Sequence, residues 1–210
     1  VRTTPLGSPE VPGVPFTLRV LQEGYSTPRA DGTTRAAGTV TLVRGGPVTA
    51  LVDTGGPWHR RRLLRLLAAH GLSPRAVTHV VCTHGHSDHV GNVNLFPAAI
   101  LAVGLDLSRG DGCYLRHGLA KGRPYVLHPG GLEVTATPGH TLGHVSVVVR
   151  GTSLGTVVVA GDLFEREEDE EEWRALSEDP EKQERSRRRV LAMADVIVPG
   201  HGPPFRVLRE

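Results

Sequence analysis

Cysteine is scarce in this 210-residue chain, which has only Cys82 and Cys113. Two thiols cannot build a disulfide framework, which excludes the small secreted scaffolds that depend on one. Cys82 ends a short apolar run that reads as a buried strand. A reduced, intracellular protein is therefore expected, cytoplasmic with the nucleus also open. No apolar run approaches the ~18 residues of a membrane span, so no membrane partner is expected. No signal peptide is visible in the sequence, which opens on Val1 in place of Met. Lysine is the other shortage: 22 of the 24 basic residues are arginine, and only Lys121 and Lys182 are lysine. Arginine suits bidentate recognition of phosphate or carboxylate, but a GC-rich gene yields the same bias and is the simpler cause. The net charge of +2 excludes neither nucleic acid nor small anions as ligands.

The length allows one large core, and a single domain over residues 16–210 is expected behind a loose, Pro- and Gly-rich lead-in, residues 1–15. Residues 16–22 read as a first strand. Residues 39–44 and 48–52 read as two more, joined by Gly45-Gly46-Pro47 as a hairpin turn. A helix is read over 58–70, with Leu63, Leu64, Leu66 and Leu67 as its apolar stripe and Gly71 as its stop. Its Arg60-Arg61-Arg62 run reads as a solvated face. Further short strands are read at 77–82, 99–103, 132–137, 145–150, 156–160 and 196–198. Asp179 and Pro180 open a last helix as its cap and first residue.

The centre of the chain carries Thr83-His84-Gly85-His86-Ser87-Asp88-His89, four ligand-type side chains within six positions on the loop that leaves a strand. His84 and His86 project to one side of an extended backbone. Asp88 and His89 fall where the chain turns towards a helix and face a second point. Packing these groups together has no structural benefit without a metal, and imidazole with carboxylate suits Zn²⁺, Fe or Mn²⁺. His140, Asp162 and His201 also follow apolar strands directly, each beside a Gly that permits a tight turn. Strand ends at one sheet edge converge, so seven candidate ligands gather: His84, His86, Asp88, His89, His140, Asp162 and His201. Asp53 also ends a strand and reads either as a helix cap or as a partner holding a ligand histidine. The stretch 106–122 is expected to be a loop region near the mouth of this site, and His117 and His128 stand alone and read as structural.

These motifs resemble the metallo-β-lactamase superfamily, whose hallmark His-x-His-x-Asp-His is His84-Gly85-His86-Ser87-Asp88-His89 here, and in particular its glyoxalase-II-like branch. The likeness runs from Asp53 to His201. It implies an α/β fold, an αββα sandwich of two mixed sheets flanked by helices, with the metals at one sheet edge. It implies two divalent ions, zinc first and iron or manganese as alternatives. His84, His86 and His140 would hold one ion and Asp88, His89 and His201 the other, with Asp162 between them. It places Asp53 behind a ligand and reads His144 as supporting structure. A pair of such ions acidifies water and stabilises a developing oxyanion, and Asp88 is the expected catalytic proton acceptor.

The position of Asp162 is not Cys, which turns the reading away from lactam hydrolysis as a physiological role. Nine residues follow His201, so the C-terminal helical domain of authentic glyoxalase II is not expected. The 38 residues between Asp162 and His201 are too few for the large insertion of RNA 3′-end cleavage members. A dinuclear hydrolase remains. The superfamily's RNA-processing members imply an endoribonuclease that cleaves phosphodiesters, acting as a bare domain or a homodimer. The alternatives are a thioesterase acting on a small acyl-thiol and a non-catalytic metal-bound scaffold, the last disfavoured by the full ligand set. Between Asp162 and His201, residues 165–172 hold seven acids in eight positions and 185–189 four arginines in five. The acids are expected to be solvent-exposed. The arginines read either as a solvated helix face or as a guide for a polyanion, in which case Arg187, Arg188 and Arg189 hold RNA.

Overall fold

The computed structural model describes residues 2–110 and 112–209. Its strands in chain order are β1 (Arg2–Pro5), β2 (Glu10–Val11), β3 (Thr17–Gln22), β4 (Tyr25–Pro28), β5 (Thr34–Ala37), β6 (Val40–Gly45), β7 (Val48–Val52) and β8 (His79–Cys82). After these come β9 (Ile100–Val103), β10 (Asp106–Ser108), β11 (Tyr125–His128), β12 (Leu132–Ala136), β13 (Val145–Thr152), β14 (Gly155–Gly161), β15 (Val196–Pro199) and β16 (Phe205–Leu208). One seven-stranded sheet has the order β10-β9-β8-β7-β6-β3-β2, the other β1-β16-β15-β14-β13-β12-β11, and β4-β5 stands apart as a hairpin. Each large sheet is mixed: β7-β8-β9 and β14-β15 pair in parallel and the rest antiparallel.

The layers follow from which side chains alternate. Val43, Ala50, Val52 and Val81 of one sheet meet Val134, Val147, Val159 and Val198 of the other in the central core. Helix α1 (Arg60–Ala69) lays Leu63 and Leu67 on the outer face of the first sheet, against Leu42, Leu51, Val80 and Cys82. Helix α3 (Pro180–Met193) lays Val190 on the outer face of the second, against Val148, Val158 and Ile197. Both faces of each sheet are covered, so its central strands are continuous apolar runs. This is the αββα sandwich. The short α2 (Ser87–Val90) belongs to the histidine loop. Gly71, at φ +70°, ends the α1 segment, and the Asp179 carboxylate caps α3 by accepting from the Lys182 N–H at 3.0 Å.

Four expectations change. The described part of the 1–15 lead-in, residues 2–15, is not loose: β1 pairs with β16 and β2 with β3. Those partners are distant in sequence, so local composition cannot reveal them. The stretch 106–122, of which Asp111 lies outside the described residues, forms β10 against β9 and buries Leu119. It does not line the mouth of the site, which the β4-β5 hairpin and residues 165–176 line instead.

The acidic run is not uniformly solvated, because Glu165 is 4% exposed and Asp169 2%. Asp169 accepts from the N–H groups of Glu165 and Trp173, both at 3.0 Å. Arg187 does not lie on a free, solvated helix face. Its guanidinium is largely buried between Phe164 and Trp173, 4.2 and 4.7 Å from the ring centres. It donates to Asp169 Oδ2 at 3.1 Å and to the carbonyl oxygens of Leu163 at 2.8 Å and Asp169 at 2.7 Å. Arg188 pairs with Glu184 on the helix surface, and Arg189 donates to the Ala136 carbonyl.

Arg187→Gln would leave the buried Asp169 carboxylate without its cation. Chemical denaturation is expected to show a loss of about 3 kcal/mol, whereas Arg188→Gln, at an exposed ion pair, should change stability little. Equal effects of the two would remove Arg187 from the framework.

Candidate metal centre

Five segments bring the ligand-type residues to one edge of the sandwich. Asp53 follows β7, His84 to His89 follow β8, His140 follows β12, Asp162 follows β14 and His201 follows β15. Strands β12, β14 and β15 run in one direction, so their ends share that edge. All seven expected residues meet there. His84, His86, His140 and Asp162 each offer an atom within a 4.8 Å cluster, and Asp88, His89 and His201 form a second such cluster. Asp162 lies between them: its Oδ2 is 3.3 Å from His140 Nε2 and 3.2 Å from His201 Nε2, and its Oδ1 is 3.2 Å from His89 Nε2.

The outer ring nitrogens set which inner nitrogen keeps a lone pair. His89 Nδ1 donates to Asp53 Oδ2 at 2.8 Å. The same oxygen accepts from the Thr83 hydroxyl at 3.0 Å, and His84 Nδ1 lies 3.0 Å from that hydroxyl. Because Thr83 gives its proton to Asp53, its oxygen accepts from His84. His201 Nδ1 donates to the carbonyls of Tyr25 and Ala37, both at 3.1 Å. In these three rings Nε2 is left to face the cluster. Asp53 adopts φ +60°, a conformation a side-chain-bearing residue seldom takes, and the Thr83 N–H holds its Oδ1 at 2.7 Å. It therefore stands behind two of the histidines and does not cap α1. His144 stacks on His84 with ring centres 5.3 Å apart and bonds the Thr137 hydroxyl through Nδ1, and burial holds its pKa down to about 3. It is a neutral support outside both clusters.

Burial would raise the Asp162 carboxyl, but His89, His84 and His201 hold it well below the usual carboxylate range. Burial pulls His201 down, and Asp162 overcomes that and raises it to about 9. Burial pushes Glu165 up to about 8, helped by Asp162. Nitrogens and oxygens directed at common points, with His89 Nε2 and Asp162 Oδ1 buried 3.2 Å apart and lacking a well-aligned hydrogen bond, fit cations. The cluster is thus able to hold metal ions. Gly200 is required by this crowding, since a Cβ there would lie 1.9 Å from Asp162 Oδ1.

The residues that sequence reasoning missed brace these loops. Gln183 of α3 donates to the Asp162 carbonyl at 3.0 Å and Ser186 to the Pro138 carbonyl at 2.8 Å. Glu165 enters the site itself, grouped with Asp162 and His201. Its signal was its position: three residues after Asp162, with Leu163 and Phe164 between, at the apolar start of the acidic run. The clusters open into a cleft of about 710 Å³, lined also by Ser26 and Thr34 of the hairpin and by Arg166 and Leu176.

A model of the metallo-beta-lactamase superfamily matches residues 33–104 and 117–201 of the chain. Metallo-beta-lactamase domain-containing protein 1 of Xenopus laevis is 58% identical over 210 residues, covering 100% of this chain and 89% of its own length. The human protein of that name is 55% identical over 241 residues, covering 100% and 90%. Among solved structures, an N-acyl homoserine lactone hydrolase with product bound at its catalytic metal center superposes with a TM-score of 0.66. It is 18% identical, over 91% of this chain and 93% of that one, a likeness of fold.

Protein kept from chelators is expected to carry two divalent ions per chain by elemental analysis. Asp53→Ala should weaken metal binding by about 10–100-fold in competition titrations, because it releases His89 and the Thr83–His84 pair together. Undiminished affinity would show that Asp53 does not hold the ligand rings.

Proposed function

Because the chain belongs to the metallo-beta-lactamase superfamily and is thereby a metal-dependent hydrolase, we propose that its cleft cleaves RNA phosphodiesters as an endoribonuclease. His84, His86 and His140 would hold one divalent ion, Asp88, His89 and His201 a second, with Asp162 shared. The all-nitrogen-and-oxygen donor set suits zinc first, and iron or manganese next. Bound there, the ions supply Lewis acidity and lower the pKa of water.

The chain's own residues do the rest. Asp88 lines the cleft with Oδ2 3.6 Å from His89 Nε2 and 3.7 Å from His201 Nε2. Its carboxylate is placed to take the proton that water loses as its oxygen bonds to phosphorus. The bond from phosphorus to the leaving ribose oxygen then breaks, and that oxygen leaves with the proton that Asp88 took up. Asp53, through Thr83 and His89, keeps the ring nitrogens aimed during this exchange.

The observation that supports the RNA reading is a second groove that shares Thr34 and Ala36 with the cleft. That groove, of about 430 Å³, is lined by Arg29, Arg35 and Trp58. Trp58 is 58% exposed. His59 beside it lies in the field of Arg62 and Arg35, which, after burial, lower its pKa. Cations beside an exposed indole suit a single strand, whose phosphates need neutralising and whose bases stack. Positive charge near the site thus lies on the hairpin and the start of α1, in addition to Arg166 of the cleft wall, which pairs with Glu172.

A second reading, a thioesterase acting on a small acyl-thiol, is favoured by the apolar lip formed by Pro28, Ala175 and Leu176, the last 53% exposed. The two readings separate in one experiment. Metal-loaded protein is assayed on RNA, DNA and thioester panels across salt concentrations. Arg29→Gln with Arg35→Gln is expected to weaken RNA cleavage through binding. It should also flatten the logarithmic salt dependence by about 1.4, one phosphate contact being lost with each arginine, with thioester hydrolysis unchanged. Asp88→Asn should abolish both activities. RNA cleavage no greater in the parent than in Asp88→Asn would reject the nuclease reading and favour the thioesterase.

A further inference from the structure

Among the described residues, every buried histidine aimed at the cluster has its outer nitrogen bonded, with one exception. His84 has Thr83, His89 has Asp53 and His201 has the carbonyls of Tyr25 and Ala37. His86 lies in the exposed part of the loop. His140 differs. Its Nε2 faces the cluster, 3.2 Å from His86 Nδ1 and 3.3 Å from Asp162 Oδ2, while its Nδ1 is buried without a hydrogen-bond partner. Glu165 Oε1 is likewise buried and unpartnered. The two atoms lie 3.9 Å apart. Buried donors and acceptors are seldom left unpaired, and here one of each face one another across about an ångström more than a hydrogen bond needs.

We infer that Glu165 is the positioning residue of His140, accepting its Nδ1–H once a metal ion draws on Nε2. This rests on the metal-centre reading above. The geometry favours this role over direct ligation, because the unsatisfied Glu165 oxygen is the one nearest the unsatisfied His140 nitrogen. The other oxygen, Oε2, lies 3.9 Å from His201 Nε2. A carboxyl group has an oxygen able to accept in either protonation state, so the pairing does not depend on its charge. Glu165 would then do for the His140 ion what Asp53 does for the His89 ion, each carboxylate fixing a ring from behind. The backbone places it there: the Glu165 N–H is held by Asp169, and the Glu165 carbonyl accepts from the His201 N–H at 2.8 Å.

The test compares Glu165→Ala with Glu165→Gln in the full chain, titrated with zinc against a chelator. Ring N–H groups are followed by proton–nitrogen NMR of the zinc-loaded protein, and melting of the metal-free proteins shows whether each variant folds. Glu165→Ala is expected to weaken one of two ions by about 10–100-fold and to lose one slowly exchanging ring N–H signal. Glu165→Gln keeps an acceptor oxygen and should retain the signal and most of the affinity. Equal loss in both variants would overturn the inference in favour of Glu165 as a direct ligand. Parent-like affinity and an intact signal in Glu165→Ala would overturn it outright. A parent that binds no divalent ion would instead overturn the metal centre itself, and this pairing with it.

Discussion

A carboxylate buried at the edge of two sheets must be surrounded by cations or donors, or it cannot remain charged. Asp162 is that carboxylate. It is 3% exposed, and the Nε2 atoms of His84, His89, His140 and His201 lie within 3.5 Å of it. The arrangement makes sense as a site whose positive charge is supplied by ions. Gly200 keeps space open beside it, and the strand ends converge on it from both sheets.

What holds so many polar groups in place is the packing behind them. Three elements remote in sequence grip the ligand loops. Asp53 ties β7 to the β8 loop through Thr83 and His89. Helix α3 holds the Asp162 loop through Gln183 and Arg187 and the His140 loop through Ser186. The β4-β5 hairpin holds His201 through two carbonyls. The hairpin that fixes a ligand therefore also forms a wall of the cleft, and a substrate lying on it would press on His201.

Charge density along the chain misleads about charge in space. The densest arginine run, 185–189, faces its own acids and the framework: Arg187 is sandwiched by aromatics, Arg188 meets Glu184, and Arg189 reaches the Ala136 carbonyl. The acidic run hides two members, one as an anchor for Arg187 and one in the site. Isolated arginines of the hairpin, Arg29 and Arg35, end up beside the cleft. Linear clustering reports only local composition, whereas an electrostatic field depends on distances that folding sets.

Much of the fold and centre was legible because it rests on local rules. The central strands, both long helices, the caps at Gly71 and Asp179 and the His84–His89 loop are written in periodicity, turn residues and ligand spacing. So are His140, Asp162 and His201, since each follows an apolar strand directly and β-strands of one direction deliver their ends to one edge. Only the tertiary structure decided the rest: that Arg2–Pro5 pairs with the C-terminal strand, that Glu165 turns inward towards His140, that Arg187 is largely buried, and that Tyr25 and Ala37 orient His201. Each of those depends on contacts between segments far apart in the chain, and no local pattern encodes a partner that only folding brings near.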